Sequence, residues 1–262
     1  MIATTEKSDK YSAPALSKGL DILEFLSSEP EAQKKADIAR ALNRSISEIF
    51  RMLVVLVDRE YVAYDAHDER YFLTTKLFEL AHKYPPIRRL SAVAAAPMQN
   101  LARTVNQSVH MAILRGTDIL VISQIDSPGD HITSVRLGAR IPLIQTSSGA
   151  VLTHSIVESA RTSLNKELSI YPAKLRKAYK ANCEAARSSG YCECPSMVIE
   201  GVINVSVPIH DHSGQIVAAL TIPFVKRLTD KGHLSLVQTR EALIATGNSV
   251  SGMLGGKMAV QA

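Results

Sequence analysis

Residues 34–56 read KKADIARALNRSISEIFRMLVVL, and the organisation of the chain is worked out from this stretch. Ile38, Ala39 and Leu42 recur at helical spacing before Asn43-Arg44 breaks the run, so the sequence predicts a short helix and a turn. A further helix starts at Ser45. In Ser45-Ile46-Ser47-Glu48 the hydroxyl and the carboxylate stand at the spacing that satisfies two backbone N–H groups left free at a helix start. Its apolar stripe is Ile49, Met52, Leu53 and Leu56, and the other face carries Ser47, Glu48 and Arg51. Upstream, Leu16, Leu20, Leu23 and Leu26 mark an amphipathic helix that Glu29-Pro30 ends. Downstream, Tyr61 to Tyr64 and Tyr71 to Leu73 alternate as two short strands around the polar turn 65–70. Three short helices with a tight second turn and a β-ribbon make a winged helix-turn-helix.

The chain has 262 residues, enough for about two domains. We expect a disordered polar arm at 1–12, the winged helix at 13–74, a linker helix at 75–90 interrupted near Tyr84-Pro85-Pro86, and a second domain at 91–256. In the second domain a long Ala-rich helix to Val105 precedes strands at Val109–Leu114, Ile119–Ile125 and Ile132–Leu137. Helices follow at Thr146–Ile156 and Ala173–Ser188, a strand hairpin at Val202–Ile209 and Gln215–Phe224, and a terminal helix at His233–Leu254. The whole is α+β with a mostly antiparallel sheet.

Composition narrows the function. No apolar run is long enough for a spanning helix. The first ten residues lack the apolar core of an export signal, and three cysteines cannot all pair in one chain, so a reducing cytoplasm is expected. Aromatic content of 5% and no Trp disfavour stacking on single-stranded nucleic acid. Residues 1–84 hold 12 basic and 14 acidic side chains, leaving 18 and 11 for the remainder. A DNA-binding reading therefore rests on a local excess. Residues 34–51 carry five basic and two acidic groups.

Three stretches resemble the IclR family of bacterial transcription regulators: ALSKGLDILEFL at 15–26, SEIFRMLVVLVDREYV at 47–62, and the pair VRLGARIPLIQTSSGAVL at 135–152 with EGVINVSVPIHDHSGQIVAAL at 200–220. The likeness runs from about Ala15 to about Leu254. It implies an N-terminal winged helix, a linker helix, a GAF-like effector domain, and homodimers or homotetramers on palindromic double-stranded operators, controlled by a small-molecule effector. Glu60 stands where the family usually has Gly, Glu48 where it has a small polar residue, and Asn204 where it often has Cys.

A recognition helix places its N-terminal residues near base edges. Arg44, Ser45, Ser47, Glu48 and Arg51 are the candidates, with Lys34, Lys35, Arg40 and Arg70 as phosphate anchors. Glu48 is alternatively the capping partner of Ser45 alone, and Arg51 a solvated charge. In the second domain, Thr146-Ser147-Ser148-Gly149 opens a helix and reads either as an N-cap or as an anion grip. The resemblance favours the grip and implies an effector pocket of Leu143, Thr146, Ser148, Gly149, Ala150, Cys194, Asn204 and Ser206. A small organic acid would suit it. Cys192-x-Cys194 with His210 and His212 has zinc-binding residue types but not a common spacing. No nucleophile, phosphate-loop or dinucleotide motif is present, so neither catalysis nor a cofactor is expected. A small-molecule-binding enzyme or a sensor that does not bind DNA is the alternative.

Overall fold

The computed structural model describes residues 13–83, 85–130, 132–226 and 234–256. The expected arm at 1–12, Tyr84 of the expected break and His233 of the expected terminal helix lie outside them. The chain divides between Pro85 and Pro86 into two compact units.

The first unit holds α1 (Pro14–Ser28), β1 (Gln33–Lys34), α2 (Lys35–Ala41), α3 (Ile46–Asp58), β2 (Val62–Asp65), β3 (Arg70–Leu73) and α4 (Lys76–Lys83). Its three strands pair antiparallel in the order β1-β3-β2. Ile22, Leu26, Ile38, Ile49, Leu53, Val62 and Tyr71 form one core. The inward face of α1 is therefore Ile22 and Leu26, whereas Leu16 and Leu20 of the expected stripe are 64% and 49% exposed.

Helix ends set the geometry of this unit. α2 closes on Asn43 at φ 51°, whose N–H donates to the Arg40 carbonyl while that of Arg44 donates to Ala39. This left-handed cap recovers two carbonyls that the helix leaves unpaired. Two residues on, Ser45 caps α3, and Glu48 returns its carboxylate to the Ser45 N–H at 3.1 Å. α3 ends as α2 does. Glu60 takes φ 63°, with its N–H on Val57 and that of Tyr61 on Leu56. A residue with a β-carbon thus holds the left-handed conformation at the position where the resemblance implies Gly.

The second unit contains α5 (Pro85–Val105) after its first residue, then β4 (Val109–Arg115), β5 (Asp118–Ile125), β6 (Arg140–Pro142), a 3-10 turn (Leu143–Gln145), α6 (Ser147–Thr153) and α7 (Glu158–Glu167). A second 3-10 turn (Leu168–Ile170), α8 (Ala173–Ser189), β7 (Cys192–Pro195), β8 (Val202–His210), β9 (Ile216–Val225) and α9 (Leu236–Met253) complete it. Six antiparallel strands run in the order β6-β5-β4-β9-β8-β7. Alternation sends Val205, Val207, Ile209, Leu220 and Ile222 to one face, against Met98 and Leu101 of α5 and Leu243 and Val250 of α9. The opposite face packs Ala112, Ile119 and Ala219 against α6 and α8. Gln107 fastens the β4–β9 seam: its amide donates to the Val225 carbonyl at 3.0 Å and accepts from the Val225 N–H at 3.2 Å, as a backbone peptide would.

Residues 132–137 form no strand. Ile132 and Leu137 are exposed, and the β5 partner is instead β6, with Ile119 opposite Ile141. The expected helices stand with shifted ends, and α7, β1 and β7 join the expected elements. Among the described residues no helix is long and apolar enough to cross a membrane.

The left-handed conformation costs a residue with a β-carbon roughly 1–2 kcal/mol, and the exposed Glu60–Lys76 ion pair at 3.6 Å returns little. Glu60→Gly should therefore stabilise the first unit by about 1 kcal/mol. Amides of α3 would then exchange with solvent about fivefold more slowly. Unchanged exchange would mean that local contacts already offset the backbone conformation.

Candidate functional site

On the first unit, Ser47 and Arg51 lie one turn apart on α3 and are exposed. Arg51 makes no ion pair or side-chain hydrogen bond among the described residues. Glu48 is committed locally: Lys18 of α1 meets one carboxylate oxygen at 2.5 Å, and the Ser45 hydroxyl donates to the other at 2.8 Å. These bonds, that of Lys18 foremost, hold its carboxyl down at about 2. Of the two readings of Glu48, the geometry favours the capping partner. Ser45 is likewise taken up as the cap.

Of the basic candidates, Arg40 sits 3.2 Å from Asp37 and Arg44 4.0 Å from Asp21, both at the surface. The ammonium of Lys35 lies 5.5 Å over the Phe50 ring, and Lys34 is exposed at the start of α2. Arg70 differs from the others. Its guanidinium donates to the Ala32 carbonyl at 2.7 Å and ties β3 to the segment before β1. The sequence reading missed the apolar part of this face, because Ile46, Phe50 and Val54 of α3 are all about half exposed.

In the second unit a cavity of about 330 Å³ opens between the sheet, the start of α6 and the segments 133–136 and 196–199. Its wall is mostly carbon: Ile119, Ile141, Val202 and Pro223 from the strands, Met197 to Ile199 from the β7–β8 connection. Polar groups enter at fixed places. Asn204 lines the cavity and its amide has no hydrogen-bond partner among the described residues. His110 is a buried neighbour across the sheet, and burial pushes its imidazole down to about 4, so the ring is neutral near pH 7. Behind them runs a chain of hydroxyls. Ser147 bonds Ser206 at 2.7 Å, Ser206 bonds Thr221 at 2.6 Å, and Thr221 bonds Ser148 at 2.9 Å.

Three of the eight expected pocket residues, Thr146, Ser148 and Asn204, line this cavity. Leu143, Gly149, Ala150, Cys194 and Ser206 are not on its wall. Leu143, Ala150 and Ser206 are fully buried, and Cys194 packs in the core on that side of the sheet. One N–H of the expected anion grip is taken up within the fold. The Gly149 N–H donates to the Thr146 hydroxyl at 2.9 Å, so Thr146 is the N-cap of α6. Gly149 serves packing instead, since a β-carbon there would lie 2.1 Å from the Leu143 carbonyl oxygen. His110 and Thr221 were not among the expected pocket residues, although each is a polar residue in an otherwise apolar run. Among the described residues, no three His, Cys, Asp or Glu side chains are placed to hold a metal ion, so Cys192, Cys194, His210 and His212 form no such site.

Residues 86–252 match the family described as bacterial transcriptional regulator IclR C-terminal, and residues 15–66 match the IclR helix-turn-helix domain. The chain belongs to the IclR family. Its IclR relatives include the HTH-type transcriptional regulator XynR of Escherichia coli (strain K12), 26% identical, with 92% of this chain and 97% of that protein covered. KdgR of the same organism is 28% identical over 81% of this chain and 82% of its own length. Among solved structures, the Thermotoga maritima IclR superposes with a TM-score of 0.72 at 24% identity, covering 92% of this chain and 98% of that one. An IclR homologue from Microbacterium hydrocarbonoxydans, complexed with 4-hydroxybenzoate, does so with a TM-score of 0.77 at 22% identity and the same coverage. These two structures bear on the fold. The protein is thus a DNA-binding transcriptional regulator of IclR architecture, with a helix-turn-helix unit followed by an effector-domain unit.

The close approach of Gly149 to the Leu143 backbone makes a stability prediction. Gly149→Ala should lower the unfolding free energy of the ligand-free protein by about 2 kcal/mol or more, because a backbone carbonyl yields less than a side chain. Urea denaturation measures it. Wild-type stability in that variant would show that the 143–145 turn gives way.

Proposed function

We propose that this chain binds operator DNA as a homodimer or homotetramer under the control of a small organic acid, and that it is not an enzyme. The observation that carries the DNA part is Arg51, an exposed and unpaired guanidinium beside Ser47 on α3. With α3 in the major groove, Arg51 reads a guanine edge, and Ile46 and Phe50 offer apolar contact to thymine methyls. Lys34, Lys35, Arg40 and Arg44 take phosphates. The ion pairs of Arg40 and Arg44 are exposed and weak, so they exchange readily for a phosphate partner. Glu48 orients the helix, and Arg70 braces the wing.

The cavity of the second unit supports the effector part. It buries a small apolar body against Ile119, Ile141, Val202 and Pro223, while Asn204 and the neutral His110 supply donors and acceptors. Arg136 is the cation on its wall. The acid meets these side chains rather than the Gly149 N–H, which Thr146 already takes. The IclR homologue crystallised with 4-hydroxybenzoate supports this class of ligand. Against turnover stands the hydroxyl chain itself. Ser147, Ser148, Ser206 and Thr221 bond one another, and none bonds a histidine or carboxylate that would activate it. Cytoplasmic action follows from the DNA target.

Leu16 and Leu20 on α1, with Leu77 and Leu80 on α4, are each more than a third exposed, and helix faces of this kind are buried by association. Sedimentation at micromolar concentration should give a dimer or larger species; a monomer would remove the paired-half-site arrangement.

Fluorescence anisotropy on the protein's own promoter at two salt concentrations tests the DNA assignment. Arg51→Ala should weaken specific binding by ~1–3 kcal/mol and leave nonspecific binding nearly unchanged. Lys35→Ala should weaken both alike and flatten the salt dependence. Identical behaviour of the two variants would overturn the division between base and phosphate contacts.

A further inference from the structure

A second cavity, of about 380 Å³, lies where the end of α7 meets α8. Asn165 and Leu168 form one side, and Arg176, Lys177, Tyr179 and Lys180 of α8 form the other. It shares no lining residue with the effector cavity. Its charge is one-sided. Three cations face it and no carboxylate lines it. From Leu168 to Cys183 the sequence has no Asp or Glu at all, against four basic residues. The acids nearby are engaged or off the wall: Glu158 pairs with Arg161 at 3.5 Å, Glu184 pairs with Arg187 at 3.3 Å, and Glu167 does not line the cavity.

Two features of α8 are unfavourable unless something anionic sits there. Arg176 and Lys180 are one turn apart, and like charges at that spacing repel. The Nε of Arg176 is buried and has no hydrogen-bond acceptor, whereas buried N–H donors are ordinarily satisfied. The arginines of the adjoining depression show the contrast. Arg161 donates to the carbonyls of His154 and Ile156, and Arg187 to that of His154. Only Arg176 presents a buried donor without an acceptor among these arginines.

We propose that this cavity is an anion site, separate from the effector cavity, that takes the phosphate group of a small molecule. A guanidinium gives a phosphate two parallel N–H bonds, and the lysines add compact positive charge. Asn165 adds a neutral polar group from the opposite side, while the Tyr179 hydroxyl is engaged by Thr153.

Calorimetry of the full-length protein with inorganic phosphate, at ionic strength held constant with sodium chloride, tests this. Saturable binding is expected, weakened about tenfold or more in Arg176→Gln. Because Arg176 is half-buried, Lys177→Gln/Lys180→Gln provides a second variant with exposed changes only, whose melting temperature should match wild type. It too should lose phosphate binding, while a variant of the effector cavity, Asn204→Ala, should retain it. No saturable heat in wild type, or equal phosphate affinity in wild type and the two α8 variants, would overturn the proposal. Loss of phosphate binding in Asn204→Ala alone would place the anion in the effector cavity and overturn it equally.

Discussion

The second unit depends on how α6 is held against its sheet. Two constraints act together. Gly149 has no β-carbon and so lets the helix settle onto the Leu143 carbonyl, and four hydroxyls then link the helix start to β8 and β9. Neither would suffice alone. Without the close approach, Ser147 and Ser148 would not reach Ser206 and Thr221. Without the hydroxyls, a seven-residue helix would have only apolar contacts to fix its rotation. The three bonds join neutral hydroxyls only, so the seam is held without charge. The cavity proposed for the effector is the space left in front of this seam.

The first unit is organised by a different device. Its recognition helix is bounded at both ends by caps, and the Lys18–Glu48 pair ties its first turn to α1. The residues that fix the helix are thereby distinguished from those proposed to read DNA. Glu48 and Ser45 satisfy the backbone, the Ser47 hydroxyl contacts that of Ser45 at 3.3 Å, and Arg51 is exposed. On the proposed reading, that division keeps Arg51 out of the folding interactions, and a change there leaves the scaffold intact.

Much of this was legible beforehand. The capping box at Ser45, the turn at Asn43 and the alternation of β8 and β9 are local signals, each carried by a few adjacent residues. What escaped was set by partners distant in sequence. Residues 132–137 alternate like a strand, but Val135 faces the cavity while Ile132 and Leu137 are exposed, so their apolar character serves a rim and not a sheet. α7 buries no side chain and so has no stripe to read. β7 is a four-residue edge strand, recognisable only through its pairing with β8. The site was half visible for the same reason. Asn204 is a polar residue among apolar neighbours in its strand, whereas Gly149 read as part of an N-cap or anion grip when its role was to let two backbones touch. His110 and Thr221 carried a signal of the same kind as Asn204, since both fall on the inward-facing register of apolar strands.

The rim of the effector cavity has a thermodynamic consequence. Met197, Val198 and Ile199 are 48%, 80% and 50% exposed at its edge. A ligand that covers them removes hydrocarbon from water as well as filling the interior, and such burial gives binding a negative heat-capacity change. The enthalpy of effector binding would then grow more favourable on warming while its entropy grew less so, and the two would largely compensate. The rank order of candidate effectors would depend on the temperature at which they are compared, with bulky ligands that reach the rim and small ligands that do not diverging as the temperature changes.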